Sequence, residues 1–243
     1  MRTIAIGDIH GGLKALVQVL NAIEVREDDT LIFVGDYVDG WSESAQVIQF
    51  LIELSQKTNC IFIKGNHDAW CERWLRTDTV DSTWYLHGGE ETMASYKDVS
   101  LADKKAHLEF LENMPFYYLD DANRLFLHAG FTSMHGVEKE AFETTLYFDR
   151  TLWEVALTLD KRIKRASAFY PKRLKHYEEI YIGHTPTTNF DSDVPMNAAN
   201  VWNIDTGAAF KGKLSGIDIH TKEVFQSDHL PNLYPNEKGR NKN

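Results

Sequence analysis

Cysteine is scarce: Cys60 and Cys71 are the only two in 243 residues. That excludes a disulfide framework, and because the two fall in segments of different kinds, reduced thiols in a cytoplasmic protein are expected. Long apolar runs are missing as well, with nothing approaching the roughly 20 residues of a membrane span. The opening stretch "MRTIAIGD" reaches charged Asp8 before an apolar region of about 7–15 residues can form, so no signal peptide is expected. Positive charge is in deficit: 26 Lys and Arg face 36 Asp and Glu, a formal net charge of -10. This argues against nucleic acid and against membranes as partners. An anionic substrate must then be drawn in by local positive charge. What remains, 43% hydrophobic and 26% charged residues, is the composition of a soluble globular chain, long enough for one large domain or at most two small ones.

The first third repeats a rhythm of short apolar run, polar turn and amphipathic stretch. "TIAIG" (3–7), "TLIFVG" (30–35) and "CIFIKG" (60–65) are short, β-branched and bounded by Gly, as buried strands are. Between them, Leu13, Leu16, Val17, Leu20 and Ile23 share one helical face, and Val47, Ile48, Leu51 and Leu54 share another. Strands alternating with helices imply βαβ units and a mainly parallel sheet, an α/β fold. Residues 69–114 read as helical with a break at "HGGEE" (87–91), and "RLFLHAG" (124–130) returns to a strand. A mostly helical, basic excursion follows over 136–178, broken near Pro171, and then the strand "EIYIGHT" (179–185). "VWNIDTGAA" and "KLSGIDIHTKEVFQ" read as antiparallel strands with a hairpin turn near Thr221 and Lys222. No repeat or low-complexity linker interrupts the chain, so a single domain over 1–226 is expected. A polar tail occupies 227–243, its last stretch "NEKGRNKN" frayed.

Each early strand runs directly into a polar cluster: "GDIHGG", "GDYVDG", "GNHD". Ligands of open α/β sheets bind at the carboxyl ends of strands, so these clusters are expected to converge. In "VGDYVDGW" (34–41), Asp36 and Asp39 stand three apart with no Lys or Arg inside the stretch, and two close carboxylates raise the cost of ionising each other. Collecting the polar residues after strands gives Asp8, His10, Asp36, Asp39, Asn66, His67, His128 and His184. Carboxylates, an amide oxygen and imidazoles without thiolate suit divalent Mn, Fe or Zn. Two such ions need bridging anions between them, so the charge that neutralises Asp36 would be metal. Taken singly, a Gly-Asp pair is usually a turn and a buried His usually a satisfied core residue. Five segments converging at strand ends are harder to obtain from structural needs alone.

In their order, "GDIHG" (7–11), "GDYVD" (35–39), "GNHD" (65–68), "HAG" (128–130) and "GHT" (183–185) resemble the phosphoprotein phosphatase branch of the calcineurin-like metallophosphoesterases. "WYLHGGEETMASY" (84–96) and "NIDTGAAFKGKL" (203–214) are similar to stretches of its bacterial and phage members. The resemblance implies a sandwich of central β-sheets flanked by helices, with a dimetal site at strand carboxyl ends. By the same resemblance, Asp8, His10 and Asp36 would hold one metal. Asp36, Asn66, His128 and His184 would hold the second, with manganese foremost and iron or zinc as alternatives. His67 matches the general acid and Asp39 the carboxylate that orients it. The implied chemistry is direct in-line attack on phosphorus by a hydroxide between the metals.

Two departures stand out. The family's second motif continues with Arg-Gly, whose arginine grips phosphate, whereas Gly40 and Trp41 stand here. A further phosphate-binding arginine usually follows a Leu/Ile-Trp pair, yet "LWEVA" (152–156) places Val155 there. Candidate replacements are Arg73, Arg76, Arg150 and the basic stretch 161–175, which holds seven Lys/Arg and no acid. That stretch reads either as a solvated helical face or as a docking element. Trp41 reads either as a packed side chain or as a stacking platform for a ring of the substrate. The first functional expectation is therefore a metal-dependent monoesterase of Ser/Thr protein phosphatase type, acting on a phosphorylated protein or a small phosphoester. Its alternative is a nucleotide-type hydrolase, a symmetrical dinucleoside tetraphosphatase or phosphodiesterase. A third is a metal-bound binding module without turnover, against which the retained His67 and Asp39 count.

Overall fold

The computed structural model describes residues 2–241. The three Gly-bounded runs form β1 (Thr3–Ile6), β2 (Thr30–Phe33) and β3 (Asn59–Phe62), paired parallel with Thr3 opposite Thr30 and Thr30 opposite Asn59. The crossovers are helices α1 (Leu13–Ile23) and α2 (Ser44–Ser55). The buried stripe of α1 is Ala15, Leu16, Val19, Leu20 and Ile23, while Val17 is left exposed. Beyond β3 run α3 (Asn66–Thr77), α4 (Ser82–Trp84), α5 (Glu90–Ser95) and α6 (Leu101–Glu112). The expected break falls at Gly88, whose φ of 112° interrupts the helical path.

The second half contributes β4 (Tyr117–Leu119), β5 (Arg124–Leu127), α7 (Glu143–Phe148), α8 (Thr151–Thr158), α9 (Lys172–Lys175) and β6 (Glu179–Ile182). It closes with β7 (Met196–Ala198), β8 (Val201–Asn203), β9 (Ser215–Asp218), β10 (Val224–Gln226) and α10 (Leu230–Leu233). The strands form two five-stranded sheets, ordered β10-β9-β1-β2-β3 and β4-β5-β6-β8-β7. In the second sheet the parallel trio β5-β6-β8 is central, with β4 and β7 antiparallel at its two margins; in the first, the parallel trio β1-β2-β3 runs to one edge, and β9 and then β10 pair antiparallel on its other side.

Side-chain alternation along the strands explains the layering. Ala5, Ile32, Phe126 and Tyr181 point between the two sheets. Their neighbours Ile4, Leu31 and Phe33 face α1 and α2, and Leu125, Leu127 and Ile180 face α8. Helix, sheet, sheet and helix are thus stacked as an α/β sandwich, and the carboxyl ends of both parallel trios supply the site residues. Among the described residues no helix is long and apolar enough to cross a membrane.

Three expectations need correction. β8 pairs parallel to β6 and antiparallel only to β7, because it completes the second sheet's parallel trio. The excursion 136–178 is less helical than expected: between α8 and α9 the chain runs through turns. Its cations are largely tied nearby, Arg162 to Asp160, Arg165 to the Tyr177 carbonyl and Arg173 to the Phe131 carbonyl. The tail does not fray over 236–241. Leu230 and Tyr234 are buried, Glu237 accepts from the backbone N–H and hydroxyl of Ser42, and the Arg240 N–H donates to Ala209 O at 2.8 Å. Residues 242 and 243 lie outside the described residues.

Candidate metal centre and active site

Seven of the expected residues converge from the strands of both sheets. The ligating atoms of His10, Asp36 and His67 lie within 4.8 Å of one another, as do those of Asp36, His128 and His184. Asp36 is common to both groups. Asp8 Oδ2 approaches His10 Nε2 to 3.9 Å, and Asn66 Oδ1 approaches His128 Nε2 to 3.2 Å. Asp8, His10, Asp36, Asn66, His67, His128 and His184 are all buried.

The backbone is bent to achieve this. His10, Asp36, Asp39 and His184 take positive φ of 53°, 55°, 73° and 67°. Non-glycine residues rarely adopt that region, and such strain is held only where the surroundings enforce it. Asp68 is one such restraint, its carboxylate accepting from the backbone N–H of Asp36, Tyr37 and Gly65 at 2.7, 2.9 and 2.8 Å. Two glycines are required by close approach: a Cβ on Gly65 would collide with Asp36 Oδ1, and one on Gly183 with Asp8 Oδ1.

The imidazoles are oriented from behind. His10 Nδ1 donates to Asp39 O at 2.9 Å, and His128 Nδ1 donates to Val34 O at 2.8 Å. Both rings therefore turn Nε2 to the cluster, as metal-binding histidines held by an outer hydrogen bond do. Two buried atoms, Asp8 Oδ1 and His184 Nε2, have no hydrogen-bond partner among the described residues. Orphaned buried acceptors of this kind cost free energy unless something electrophilic meets them. The electrostatics agree. Burial, then the neighbouring Asp205 charge, pushes the Asp8 carboxyl well above its ordinary range. His10 and His184 are driven well below theirs, chiefly by burial. Burial opposes charge on Asp36 too, but the surrounding imidazoles, His128 first, hold it well below the usual carboxylate value. Burial opposes charge on His128, but the Asp36 charge and hydrogen bond, with Asp8 and the Val34 carbonyl, together raise it to about 10. Carboxylates crowded against imidazoles are a donor set that fits divalent cations.

Beside this cluster His67 Nδ1 lies 2.6 Å from Asp39 Oδ2. Asp39 also accepts from Trp84 Nε1 at 2.7 Å and from Thr92 Oγ1 at 2.6 Å. Burial pushes Asp39 up to about 8 and His67 down to about 3, both shifts reflecting the cost of burying charge.

The structure distributes the expected substrate residues unequally. Trp41 is fully buried, its Nε1 donating to Ala208 O at 2.7 Å, so the packed reading replaces the stacking one. Arg76 is held by Glu72 and Glu112. Arg73 is exposed one turn beyond Trp70. Arg150 reaches the site's rim, donating to His184 O at 3.2 Å and Thr185 Oγ1 at 2.9 Å. Sequence reasoning missed Asp205, a buried carboxyl raised to about 6 mainly by burial, and the Trp84 and Thr92 that restrain Asp39. "NIDTG" was a signal for the first, since it follows a strand as the other clusters do. It also missed the aromatic edge of the site. Trp70 meets the His67 ring at 5.0 Å, Phe148 lies 5.7 Å from Trp70, and the His184 ring is 6.3 Å from Phe148.

A family model for calcineurin-like phosphoesterases matches residues 1–211. The chain belongs to that family. This phosphoesterase is 28% identical to a protein of Oceanobacillus iheyensis named bis(5'-nucleosyl)-tetraphosphatase PrpE [asymmetrical], over 92% of this chain and 90% of that one. A protein of the same name from Bacillus cereus is 30% identical over 92% and 93% of the two chains. Among solved structures, a Saccharomyces cerevisiae protein serine/threonine phosphatase superposes with a TM-score of 0.61 at 15% identity, covering 94% of this chain and 80% of that one. A Sphaerobacter thermophilus metallophosphoesterase does so with a TM-score of 0.51 at 15% identity, covering 97% and 95%. The family implies divalent metal ions, and the phosphoesterase is a dimetal-dependent hydrolase of phosphoester bonds.

Proposed function

We propose that this phosphoesterase hydrolyses dinucleoside tetraphosphates and breaks an outer phosphoanhydride bond, releasing a nucleoside monophosphate and a nucleoside triphosphate. This puts the nucleotide-hydrolase alternative ahead of the protein phosphatase reading drawn from the motifs, and replaces the symmetrical cleavage expected there with an asymmetrical one. The observation that carries it is similarity over nine-tenths of both chains to proteins named for asymmetrical tetraphosphate cleavage. The aromatic edge supports it from the structure's side. Trp70 is half-buried and Phe148 is 44% exposed, and both stand against rings of the metal centre. Base-on-aromatic stacking contributes about 1–3 kcal/mol per base, and a monoester lacking a base gains nothing from it.

The residues have distinct tasks. Asp8, His10, Asp36, Asn66, His128 and His184 would hold two divalent cations, which we take to be manganese. Bound there, such ions supply Lewis acidity and a water acidic enough to attack at neutral pH. Asp39 holds the His67 ring through Nδ1, leaving Nε2 to the substrate. A phosphoryl anion beside that nitrogen favours the imidazolium, so the proton for the leaving oxygen is recruited as substrate binds. Arg150, with Arg73 further out, provides positive charge for the phosphates that extend beyond the centre. We place the enzyme in the cytoplasm, which its two free thiols, Cys60 and Cys71, support.

The test is a panel of diadenosine tetraphosphate, p-nitrophenyl phosphate, its bis-ester and a phosphopeptide, assayed with metal-reconstituted protein. The expected result is the highest kcat/KM on the dinucleotide, with AMP and ATP as products. Two equivalents of ADP, or a preference for the phosphopeptide, would overturn the reading.

A further inference from the structure

Among the described residues, the C-terminal tail brings Arg240 up beside the metal centre. Tyr234 stacks on Trp41, and Gly239, at φ 54°, lies so close to that indole that a Cβ would collide with it. The next residue is Arg240. Its N–H is fixed to Ala209 O at 2.8 Å, and its Cζ sits 5.3 Å from the centre of the Phe210 ring. Its Cγ takes up space beside Gly40, where a Cβ would stand 3.2 Å from it and 3.6 Å from His10 Cβ.

From there the guanidinium enters the field of the site. Asp36, Asp39, Asp205 and Asp8 all act on it, and its own charge reaches His10 and His67. Yet among the described residues no hydrogen bond or ion pair closes on it. A guanidinium carries five N–H donors in a planar fork, and on this half-buried side chain all of them stay available to a ligand. A group with several oxygens, lying between this fork and the metal ligands, would satisfy it. The chain has also rebuilt its second motif to fit: Gly40 leaves the room, and Trp41 provides the surface on which the tail is anchored.

We propose that Arg240, delivered by the C-terminal tail, is the guanidinium that grips the phosphoryl group beside the metal centre, taking the place of the arginine absent from position 40. The proposal rests on the phosphoesterase reading for its ligand class and not on the choice of dinucleotide. Position 40 itself is a poor home for that side chain, because its φ of 129° suits glycine alone.

The experiment measures binding of inorganic phosphate to metal-loaded protein by calorimetry, with metal content and melting temperature as controls. It compares wild type with Arg240→Gln, Arg240→Met and Arg240→Lys. Because the guanidinium makes no hydrogen bond within the protein, the neutral variants are expected to fold and to retain both metals. Their phosphate affinity should fall by about 10- to 100-fold, the worth of hydrogen bonds to a charged group. Lysine should recover part of the loss, since it restores charge without the bidentate fork. On diadenosine tetraphosphate the neutral variants should raise KM and lower kcat together. Phosphate affinity within twofold of wild type in either folded neutral variant, with metals in place, overturns the proposal, as does a wild type that binds no phosphate. A wild type whose phosphate binding depends on Arg240 but which cleaves no dinucleotide leaves Arg240 in place and sinks the substrate reading instead.

Discussion

Trp41 and Tyr234 stack with ring centroids 5.1 Å apart and planes 24° from parallel, so a motif near the start of the chain and a tail near its end share one aromatic contact. Tyr234 is buried and its hydroxyl also reaches Glu43. Removing a large buried ring typically costs about 3 kcal/mol or more. Tyr234→Ala should therefore lower the melting temperature by roughly 6–12 °C and speed amide exchange over 236–241. An unchanged melting temperature would mean that the tail is not held by this contact.

His67→Ala discriminates between substrates as well as testing the acid. An alkoxide leaving from a serine phosphate needs a proton, and losing a general acid there costs about 100-fold or more. A polyphosphate oxygen is a far better leaving group and needs that proton less. The variant is expected to keep both metals, lose at least ~100-fold on an alkyl phosphate, and lose distinctly less on diadenosine tetraphosphate. Equal losses on both, or none on either, would remove His67 from the protonation step.

The aromatic edge makes a separate prediction. Trp70→Ala and Phe148→Ala should each raise KM for diadenosine tetraphosphate by about 5- to 100-fold, while KM for p-nitrophenyl phosphate moves by less than about twofold. Parallel changes for the two substrates would assign these rings to packing around His67 and His184 rather than to a base.

A pH-dependent contribution to stability resides away from the site. His107 Nε2 donates to Gln49 Oε1 at 3.1 Å and Nδ1 accepts from Tyr96 Oη at 3.0 Å, so the buried ring is neutral. Burial holds it below its ordinary value, with the Asp103 charge acting weakly the other way. The unfolded chain then binds a proton more readily than the native one. Stability from this group is fully present above the unfolded value of about 6.5 and is lost as pH falls below it. Melting temperatures of wild type and His107→Gln should diverge less at pH 5.5 than at pH 7.5. The metal-centre histidines titrate in both proteins and cancel in the difference. A gap that widens toward acid would contradict this assignment.

Much of this was legible in residue order, for identifiable reasons. β1, β2 and β3 were readable because strands buried on both faces are continuous apolar runs, and the clusters after them were readable because parallel strands end on one edge. β4 and β7 were not, being three residues long, too short for periodicity to register. The rhythm of strands and helices also says nothing about which strands share a sheet, so β8 was misassigned. In the site, Asp8, His10, Asp36, Asn66, His67, His128 and His184 each stand in a local pattern. Trp70 and Phe148 sit on helices where an aromatic is ordinarily core. Arg240 stands in a polar stretch without pattern, and its place depends on the path of the whole chain, not on its neighbours.

The most direct measurement is elemental analysis of chelator-stripped protein reloaded with Mn, Fe or Zn, run beside Asp36→Asn, in which the oxygen common to both His/Asp groups is weakened as a ligand. The expected result is two metal ions per chain in the wild type and loss of both, together with hydrolysis, in the variant. A wild type that takes up no transition metal from any of the three, or an Asp36→Asn protein that retains two ions with full turnover, would contradict a shared dimetal centre.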